Sequence, residues 1–427
     1  MEELIPQRSM SDFHEVKSEL YCEEVSVSRI AMDAGTPFYL YSYRSLVRQF
    51  KAYNSAFRDL PHLICYAVKA NSNLAILKAF GKMGGGADIV SGGELFRALR
   101  AGIPADKMVF AGVGKMRGEI ASALRARILM FNVESSQELH LINEVAQSEG
   151  VVAPVALRVN PNIDPMTHPY ISTGMKQSKF GIDIEEALKG YLEAKSLPHI
   201  KVIGVHQHIG SQLTEVAPFV DALKKIAEFI YQLRSHGLNI SVIDIGGGLG
   251  IPYENETPPL PSEMAESIVP ILKPLGCQVI LEPGRSLVGN AGALITRVLY
   301  TKTASDKNFV VVDAGMSDLI RPSLYQAYHE IRPVVQSGRT FKKVDVVGPV
   351  CESGDFFAKE REIHEFQPGE LMAIMGAGAY GFSMASHYNS RPNIPEILVN
   401  GSDFFVIRER EDYEDLVRRE KIPPFLF

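Results

Sequence analysis

Eight short apolar runs, separated by stretches with helical periodicity, occupy the first two thirds of the chain. The runs are Ile64–Lys69, Ala87–Ser91, Met108–Ala111, Ile128–Asn132, Val155–Asn160, Ile203–Ile209, Val242–Gly246 and Val279–Glu282. A regular alternation of strand and helix over roughly 250 residues is typical of a (β/α)8 barrel. A doubly wound open sheet is the alternative, but no G-x-G-x-x-G sequence follows the first run. We therefore predict a TIM-like (β/α)8 barrel over residues 36–290.

The chain beyond residue 290 has a different pattern. Strand-like runs follow one another there, with turn residues between them and little helical period. They are Phe309–Asp313, Val344–Val347, Leu371–Ile374, Glu396–Val399 and Phe404–Ile407. Such a pattern is typical of a mostly antiparallel β sheet. We therefore predict a second, β-rich domain formed by residues 1–35 and 291–427.

Composition and charge exclude several classes of partner and site. The net charge is -6 and no extended basic block is present, which argues against nucleic acid or an anionic membrane as a partner. Cys22, Cys65, Cys277 and Cys351 form no C-x-x-C pair, so they indicate neither a zinc site nor a disulfide framework. The N-terminus lacks the features of a signal peptide, and no apolar run reaches membrane-spanning length. We expect a cytoplasmic, globular protein without a metal centre.

Chemically reactive side chains collect where the predicted barrel strands end. They are Lys69 at the end of the first run, Asp88 within the second, His206 and His208 in the sixth, Gly246, Gly247 and Gly248 after the seventh, and Glu282 at the end of the eighth. Barrel active sites lie at the C-terminal ends of the strands, and phosphate groups commonly bind the loops after strands seven and eight. All of these residues except Asp88 have that placement. The pattern therefore predicts an active site there.

Lys69 and the three glycines each allow two interpretations. A lysine at the end of a buried strand can extend its amine into solvent, or it can use the amine as a Schiff-base nucleophile, which desolvation favours. Consecutive glycines can form a flexible barrel loop, or their backbone N–H groups can surround an anion such as phosphate. The position of both features at one end of a barrel favours the chemical interpretation of each.

Glu282 and Arg285 complete a set that suits one cofactor. Taken alone, they are expected to form a structural ion pair. Pyridoxal phosphate, however, requires a Schiff-base lysine, a phosphate-binding loop and an acid opposite its pyridine nitrogen. Lys69, the glycine loop and Glu282 meet these three needs, and an ionised Glu282 would keep the pyridine nitrogen protonated. We therefore predict pyridoxal 5'-phosphate as the cofactor.

Three further features remain open on the residues alone. His206 and His208 share one strand face and could form a metal pair, but no carboxylate or cysteine stands at a ligand spacing nearby, so we predict no metal. His208 is better interpreted as a ring stacked on the cofactor, with Ser211 reaching the phosphate. Asp88 is either a hydrogen-bonded structural acid or a group that orients Lys69. The loop Asn160–Phe180 is either a lid or a surface excursion.

Several short motifs, taken together, carry a family resemblance. They are Tyr66–Asn71, His208–Ser211, Gly246–Gly248, Glu282–Arg285 and Cys351–Asp355, with Thr173-Gly174, Ser178–Gly181 and Arg321–Tyr325 as finer discriminators. In this order they resemble the fold-type III pyridoxal phosphate decarboxylases, and within that group the diaminopimelate decarboxylases. The resemblance covers nearly the whole chain. It implies the architecture of alanine racemase and the group IV decarboxylases, in which a barrel is joined to a β domain.

The resemblance also implies roles for individual residues. Lys69, His208 and Cys351 would be catalytic. Cys351 would lie near the reacting carbon as a candidate proton donor, with Lys69 and water as the alternatives. The implied cofactor-binding residues are Lys69, Asp88, His208, Ser211, Gly246, Gly247, Gly248, Glu282, Gly284, Arg285 and Tyr380. The implied substrate-binding residues are Arg285, Arg321, Tyr325, Glu352 and Tyr380. Without the family, Arg321 and Tyr325 would be interpreted as a surface pair and Cys351 as a small buried hydrophobe.

The implied reaction is decarboxylation of meso-2,6-diaminopimelate to L-lysine and carbon dioxide, the last step of lysine biosynthesis. A distal carboxylate on the substrate would explain an arginine in its pocket. Decarboxylation of ornithine, arginine or carboxynorspermidine remains an alternative, as does a non-catalytic pyridoxal phosphate-binding relative. The family further implies a homodimer in which a second subunit supplies the stretch Cys351–Asp355 to the active site.

Overall fold

The computed structural model describes residues 12–163, 179–336 and 338–427. The chain divides into two compact units, Val47–Leu287 and a unit formed by Met1–Leu46 with Val288–Phe427. The strands are β1 (Phe13–Val16), β2 (Glu19–Cys22), β3 (Val25–Ser26), β4 (Phe38–Ser42), β5 (His62–Ala67), β6 (Gly86–Ile89), β7 (Met108–Phe110), β8 (Met130–Val133), β9 (Ala153–Asn160), β10 (Ile182–Asp183), β11 (Ile200–His206), β12 (Val242–Asp244), β13 (Gln278–Leu281), β14 (Gly292–Ala304), β15 (Lys307–Val312), β16 (Ile331–Pro333), β17 (Phe341–Val347), β18 (Phe356–His364), β19 (Leu371–Ile374), β20 (Glu396–Asn400) and β21 (Asp403–Arg408). The helices are α1 (Val27–Ala34), α2 (Tyr43–Ala56), α3 (Leu74–Lys82), α4 (Gly92–Ala101), α5 (Arg117–Ala126), α6 (Ser136–Glu149), α7 (Ile184–Ser196), α8 (Ala217–Ser235), α9 (Pro261–Leu272), α10 (Arg285–Val288), α11 (Arg321–Tyr325) and α12 (Tyr413–Val417).

The unit Val47–Leu287 contains a closed parallel barrel, so the predicted barrel is confirmed and the open sheet is excluded. Its strands follow the order β9-β11-β12-β13-β5-β6-β7-β8, and β8 returns to pair with β9. Neighbouring strands are parallel throughout, as in the pair β13 and β5 and in the closing pair β8 and β9. None of the helices in the described ranges is long and apolar enough to cross a membrane.

Apolar side chains fill the barrel interior, and the polar groups of the site lie at the strand ends. A buried cluster contains Leu63, Cys65, Val109, Met130, Ala156, Val242 and Ile280. Full burial of one valine, leucine or methionine side chain contributes about 1.5–3 kcal/mol to folding. Because the barrel is packed in this way, reactive groups are positioned at the C-terminal ends of the strands.

Local sequence signals set the ends of the barrel helices. The Ser91 side chain accepts the N–H of Glu94 and begins α4, and Gly102 ends this helix with a φ of +81°. Ser135 and Gly150 have the same roles for α6. A serine N-cap satisfies a backbone donor that the first turn leaves unpaired, and glycine adopts the left-handed conformation without steric cost. The two serines therefore set where the loops at the C-terminal ends of β6 and β8 stop.

The other unit is built on a mostly antiparallel sheet, as predicted. Its order is β18-β17-β15-β14-β4-β20-β21, with β19 added to β14 and β16 added to β19. Two pairs, β15 with β17 and β20 with β4, are parallel. A separate sheet contains β1, β2 and β3. Buried side chains of β4, β14 and β20, including Phe38, Ile295 and Ile397, form part of this unit's core.

The strand β4 shows that the predicted start of the barrel at residue 36 is wrong. It pairs antiparallel with β14 and parallel with β20, so its hydrogen bonds tie it to the β-rich unit. All five of its residues are buried. A sequence pattern reveals that such a segment is a strand, but its partners lie more than 200 residues away along the chain. The division between the units instead falls after Leu46.

Candidate active site

Lys69 lies just beyond the end of β5, in a short 3-10 turn at Val68–Ala70, rather than within the strand as predicted. Its Nζ donates a hydrogen bond to Asp88 Oδ2 at 2.7 Å. Asp88 is fully buried, whereas 39% of the Lys69 side chain is exposed. Burial and then the charge of Glu282 raise the pKa of Asp88 to about 7, although the Lys69 ammonium acts to lower it. The contact favours the predicted orienting role of Asp88 for the Lys69 amine.

Glu282 follows β13 directly and lies in a buried polar cluster. Asn132 Nδ2 donates to Glu282 Oε1 at 3.2 Å and to Asp244 Oδ2 at 2.9 Å. His206 Nε2 is 3.6 Å from Glu282 Oε2. One atom from each of His206, Asp244 and Glu282 lies within 4.8 Å of the others. The expectation that no carboxylate stands near His206 is therefore wrong, because neighbouring barrel strands bring two of them there.

The pKa values of the two carboxyl groups of this cluster shift in opposite directions. Burial and then the charge of Glu282 raise the pKa of Asp244 well above its ordinary value. Burial also acts to raise the pKa of Glu282, but the contacts of Glu282 with His206, Lys69 and Asp244 outweigh burial and lower it. The arrangement therefore favours the neutral form of Asp244 and the ionised form of Glu282.

The three consecutive glycines form a turn in which a side chain would collide with backbone. A Cβ atom on Gly247 would lie 2.2 Å from the Glu282 carbonyl oxygen, and one on Gly248 would lie 2.5 Å from the Gly210 carbonyl oxygen. The N–H of Gly246 donates to Asp244 Oδ1 at 3.0 Å, and that of Gly247 donates to His208 Nδ1 at 3.3 Å. Two of the three predicted anion donors are therefore used by side chains.

His208 lies in the loop after β11, which ends at His206 and not at Ile209 as predicted. Because Nδ1 accepts the N–H of Gly247, the ring proton of the neutral form sits on Nε2. Burial, and then the charges of Arg158 and Lys69, lower the pKa of His208 well below its ordinary value. A neutral, flat ring is suited to the predicted stacking on an aromatic cofactor.

An anion-binding group of side chains lies near the glycine turn. Arg285 is 7% exposed, and its Nη2 donates to Ser211 Oγ at 3.1 Å. Its Nη1 donates to the Tyr253 hydroxyl at 2.7 Å. The loop that carries Ser211 is fastened to the turn, because the N–H of Leu213 donates to the Gly248 carbonyl at 2.9 Å. A buried guanidinium with adjacent hydroxyl groups is suited to a phosphate.

Gly284 lies between this group and the lysine. A Cβ atom there would come within 3.0 Å of the Ala67 Cβ at the end of β5. This close approach explains why glycine stands there, and the role of Gly284 in cofactor binding stays a prediction.

The remaining predicted site residues belong to the β-rich unit. Arg321 begins α11 and is 5% exposed, so its interpretation as a surface residue is wrong. Tyr325 ends the same helix and is partly buried. Cys351 and Glu352 are exposed, so the interpretation of Cys351 as a buried hydrophobe is also wrong. Tyr380 is partly buried and has a φ of +56°.

The predicted lid Asn160–Phe180 is described only at its ends. Residues 164–178, including Thr173-Gly174 and Ser178, lie outside the described residues. At the C-terminal end, the Arg158 guanidinium lies 4.7 Å from the centre of the Phe180 ring. Glu134 accepts hydrogen bonds from Arg158 Nη1 and the Gly181 N–H, both at 2.8 Å. These contacts fix the chain where it re-enters the barrel.

Known proteins share both the sequence and the fold. Residues 43–289 match the model of the pyridoxal-dependent decarboxylase family for its pyridoxal binding domain. The chain is 50% identical to the diaminopimelate decarboxylase of Aquifex aeolicus (strain VF5) over 400 residues, which cover 93% of this chain and 95% of that relative. The chain belongs to the diaminopimelate decarboxylase family. Membership confirms the resemblance found in the sequence.

Two solved structures of this family are similar over almost their whole length. One is the diaminopimelate decarboxylase of Helicobacter pylori complexed with L-lysine, with a TM-score of 0.89 and 47% identity, covering 92% of this chain and 98% of that chain. The other is the M. jannaschii enzyme in co-complex with L-lysine, with a TM-score of 0.93 and 39% identity, covering 98% and 99%. The family fold therefore extends over both units.

The residues of the barrel fit the cofactor of the family. An amine at Lys69, an ionised carboxylate at Glu282 and an anion-binding group at Ser211 and Arg285 all stand at the C-terminal ends of strands in one barrel. A Cβ atom on Gly247 would collide with the Glu282 carbonyl, so the tight turn beside Glu282 requires glycine. This donor set corresponds to the amine, acid and phosphate-binding groups that pyridoxal phosphate requires.

The sequence analysis assigned no role to three residues of the site. Asn132 and Asp244 support Glu282, and Tyr253 supports Arg285. Asn132 and Asp244 had a usable signal, because each is a polar residue in the last two positions of an otherwise apolar barrel strand. Tyr253 had none, since it lies in a loop after β12 whose conformation the sequence does not specify.

Proposed function

We propose that the protein decarboxylates meso-2,6-diaminopimelate to L-lysine and carbon dioxide with pyridoxal 5'-phosphate as its cofactor. The observation that carries this proposal is the joint placement of Lys69, Glu282 and the Ser211–Arg285 pair at one end of the barrel. Membership in the diaminopimelate decarboxylase family supports the substrate. Relatives whose structures hold L-lysine support the product.

Six residues of the barrel would hold the cofactor. Lys69 would bind its aldehyde carbon, Glu282 its pyridine nitrogen and His208 the face of its ring. Ser211, Arg285 and the N–H of Gly248 would bind its phosphate, with Tyr380 as a further predicted ligand. When bound, the cofactor supplies an electron sink for the pair of electrons left at Cα when carbon dioxide departs.

The protein controls the protons and charges around that sink. The ionised Glu282 would keep a proton on the pyridine nitrogen, and Asn132 and the neutral Asp244 hold its carboxylate in place. Asp88 orients the Lys69 amine. A buried, ordered carboxylate requires no solvent reorganisation as charge develops, which is the usual source of electrostatic catalysis.

Arg321 and Cys351 would act on the substrate. The planar guanidinium of Arg321 is suited to bidentate binding of the distal carboxylate of diaminopimelate. Glu352 would bind an ammonium group, and Tyr325 would line the same pocket. Cys351 would return a proton to Cα after carbon dioxide leaves. The exposure of Cys351 and Glu352 in the single chain is consistent with a homodimer in which this stretch completes the site of a second subunit.

A substrate panel tests the reaction. Purified protein with added pyridoxal phosphate is offered meso-diaminopimelate, ornithine, arginine and carboxynorspermidine, and carbon dioxide and the amine product are measured. We expect L-lysine from diaminopimelate alone, because its distal carboxylate matches Arg321. Release from another substrate would reassign the pocket while keeping the fold and cofactor. Absence of release from all four, with cofactor bound, would make the protein a non-catalytic relative.

Mixing two inactive variants tests the shared site. We expect Cys351→Ala to lower kcat by on the order of 100-fold, the usual contribution of a general acid. Refolding it together with Lys69→Ala should restore about a quarter of wild-type turnover, because half of the random dimers contain one intact site of two. The measurement is decarboxylation per subunit in the mixture and in each variant alone. A mixture no more active than Cys351→Ala alone would place both residues in the site of one chain.

A further inference from the structure

A buried histidine touches the arginine that is predicted to bind the substrate. His329 is 0% exposed and lies eight residues after Arg321. Its Nε2 is 2.9 Å from Arg321 Nη1, and its Nδ1 is 2.8 Å from the Met375 carbonyl oxygen. No role for this residue was predicted from the sequence. Both ring nitrogens therefore have partners, one on the backbone and one on a side chain of proposed function.

The chemistry of the two partners determines the proton on the ring. A carbonyl oxygen only accepts, so Nδ1 of His329 must carry the hydrogen and donate it to Met375. A guanidinium only donates, so Nε2 must present its lone pair to Arg321 Nη1. The ring is thus neutral and held in a single tautomer. The neutral ring gives the Arg321 guanidinium one hydrogen-bond acceptor. It carries no negative charge that would compete with the substrate carboxylate for this guanidinium.

The backbone around His329 is fixed independently of the ring. The N–H of Met375 donates to the Glu330 carbonyl at 2.8 Å. Directly after Glu330, β16 pairs antiparallel with β19, the strand that precedes Met375. Two hydrogen-bonded segments therefore hold the ring and its carbonyl partner in register. The position of Nε2 is set by the sheet, and Arg321 adapts to it.

We infer that His329 is a positioning residue that fixes the Arg321 guanidinium for the distal carboxylate of the substrate. An arginine side chain has many rotamers, and ordering it only when the substrate arrives would weaken binding. A fixed acceptor at Nη1 orders the side chain before the substrate arrives. This inference rests on the proposed function, in which Arg321 binds that carboxylate.

Two substitutions separate the two hydrogen bonds of the ring. His329→Asn places an amide near the position of Nδ1 and keeps a donor for Met375, but it removes the acceptor for Arg321. His329→Gln places an amide oxygen near the position of Nε2 and keeps that acceptor. For His329→Asn we expect the KM for meso-diaminopimelate to rise about tenfold, with kcat changed less than about twofold, as for one lost hydrogen bond to a charged group. For His329→Gln we expect KM to remain within about twofold of wild type.

Two product-like inhibitors test whether His329 acts on recognition of the distal carboxylate or only stabilises the fold. L-lysine retains the distal carboxylate, whereas 1,5-diaminopentane lacks it. In His329→Asn, inhibition by L-lysine should weaken by the same factor as KM, and inhibition by 1,5-diaminopentane should not change. Equal weakening for both inhibitors, or equal KM values for the Asn and Gln variants, would overturn the inference. If the Asn variant does not fold, a tenfold rise of KM in the Gln variant would also contradict it.

Arg321→Ala distinguishes failure of this inference from failure of the proposed function. If that variant raises KM strongly while His329→Asn leaves it unchanged, only the positioning role of His329 is wrong. If Arg321→Ala itself leaves KM unchanged, Arg321 does not bind the substrate, and the proposal for His329 falls with it. Thermal unfolding of each variant confirms that the compared proteins are folded.

Discussion

Replacement of Lys69 by alanine is expected to lower decarboxylation by at least on the order of 10⁴-fold, since the amine that binds the cofactor is removed. The visible absorption of lysine-bound pyridoxal phosphate should disappear as well. Lys69 lies beside the buried carboxylate of Asp88, in the turn just beyond the end of β5.

Turnover and the absorption spectrum of Lys69→Ala should be measured against Lys78→Ala. Lys78 is an exposed lysine on α3, and its removal should change neither quantity. Lys69→Ala also leaves Asp88 buried without its cation. The pKa of Asp88, already raised to about 7 by burial, should then rise further, so the carboxyl should be neutral and the barrel should remain folded. A Lys69→Ala variant that kept both turnover and absorption would overturn the proposed chemistry.

The barrel could be predicted because its signal is local. Each strand is a short apolar run, and each observed strand overlaps the run predicted for it, as β5 does with Ile64–Lys69. Several C-terminal ends were less accurate, because the backbone leaves the ladder before the apolar pattern stops: β5 ends at Ala67 and β11 at His206. Lys69 and His208 were placed on strands for this reason, and both lie in the turns that follow.

The contacts of the supporting residues could not be predicted, because their partners are distant in the sequence. Asn132 reaches Asp244 and Glu282, which lie 112 and 150 residues further along the chain. His329 is supported by a carbonyl 46 residues away. A single sequence identifies a buried polar residue only by its apolar neighbours and does not reveal its partner. The residues predicted to touch cofactor or substrate were found through motifs, whereas the contacts that hold them in place required coordinates.

The opposite pKa shifts of Glu282 and Asp244 lead to the second large expected effect. Glu282→Gln should lower kcat by on the order of 10²–10³-fold, the usual loss when one preorganised electrostatic contact is removed. A neutral amide cannot stabilise a proton on the pyridine nitrogen. Asp244→Asn should instead keep kcat within about tenfold, since burial and the charge of Glu282 favour the neutral form of the Asp244 carboxyl, and a neutral amide can still donate a hydrogen bond.

The comparison between Glu282→Gln and Asp244→Asn is informative because both replace a buried carboxyl by an amide of the same size in the same cluster. Lost packing or a lost hydrogen bond would affect the two variants similarly, whereas a lost charge affects only Glu282. Steady-state kcat should be measured with the bound cofactor quantified by its absorbance, so that weaker cofactor binding is not mistaken for slower chemistry. If Asp244→Asn were as inactive as Glu282→Gln, the negative charge would be shared between the two groups. If neither variant were impaired, the pyridine nitrogen would not depend on an acid at this position.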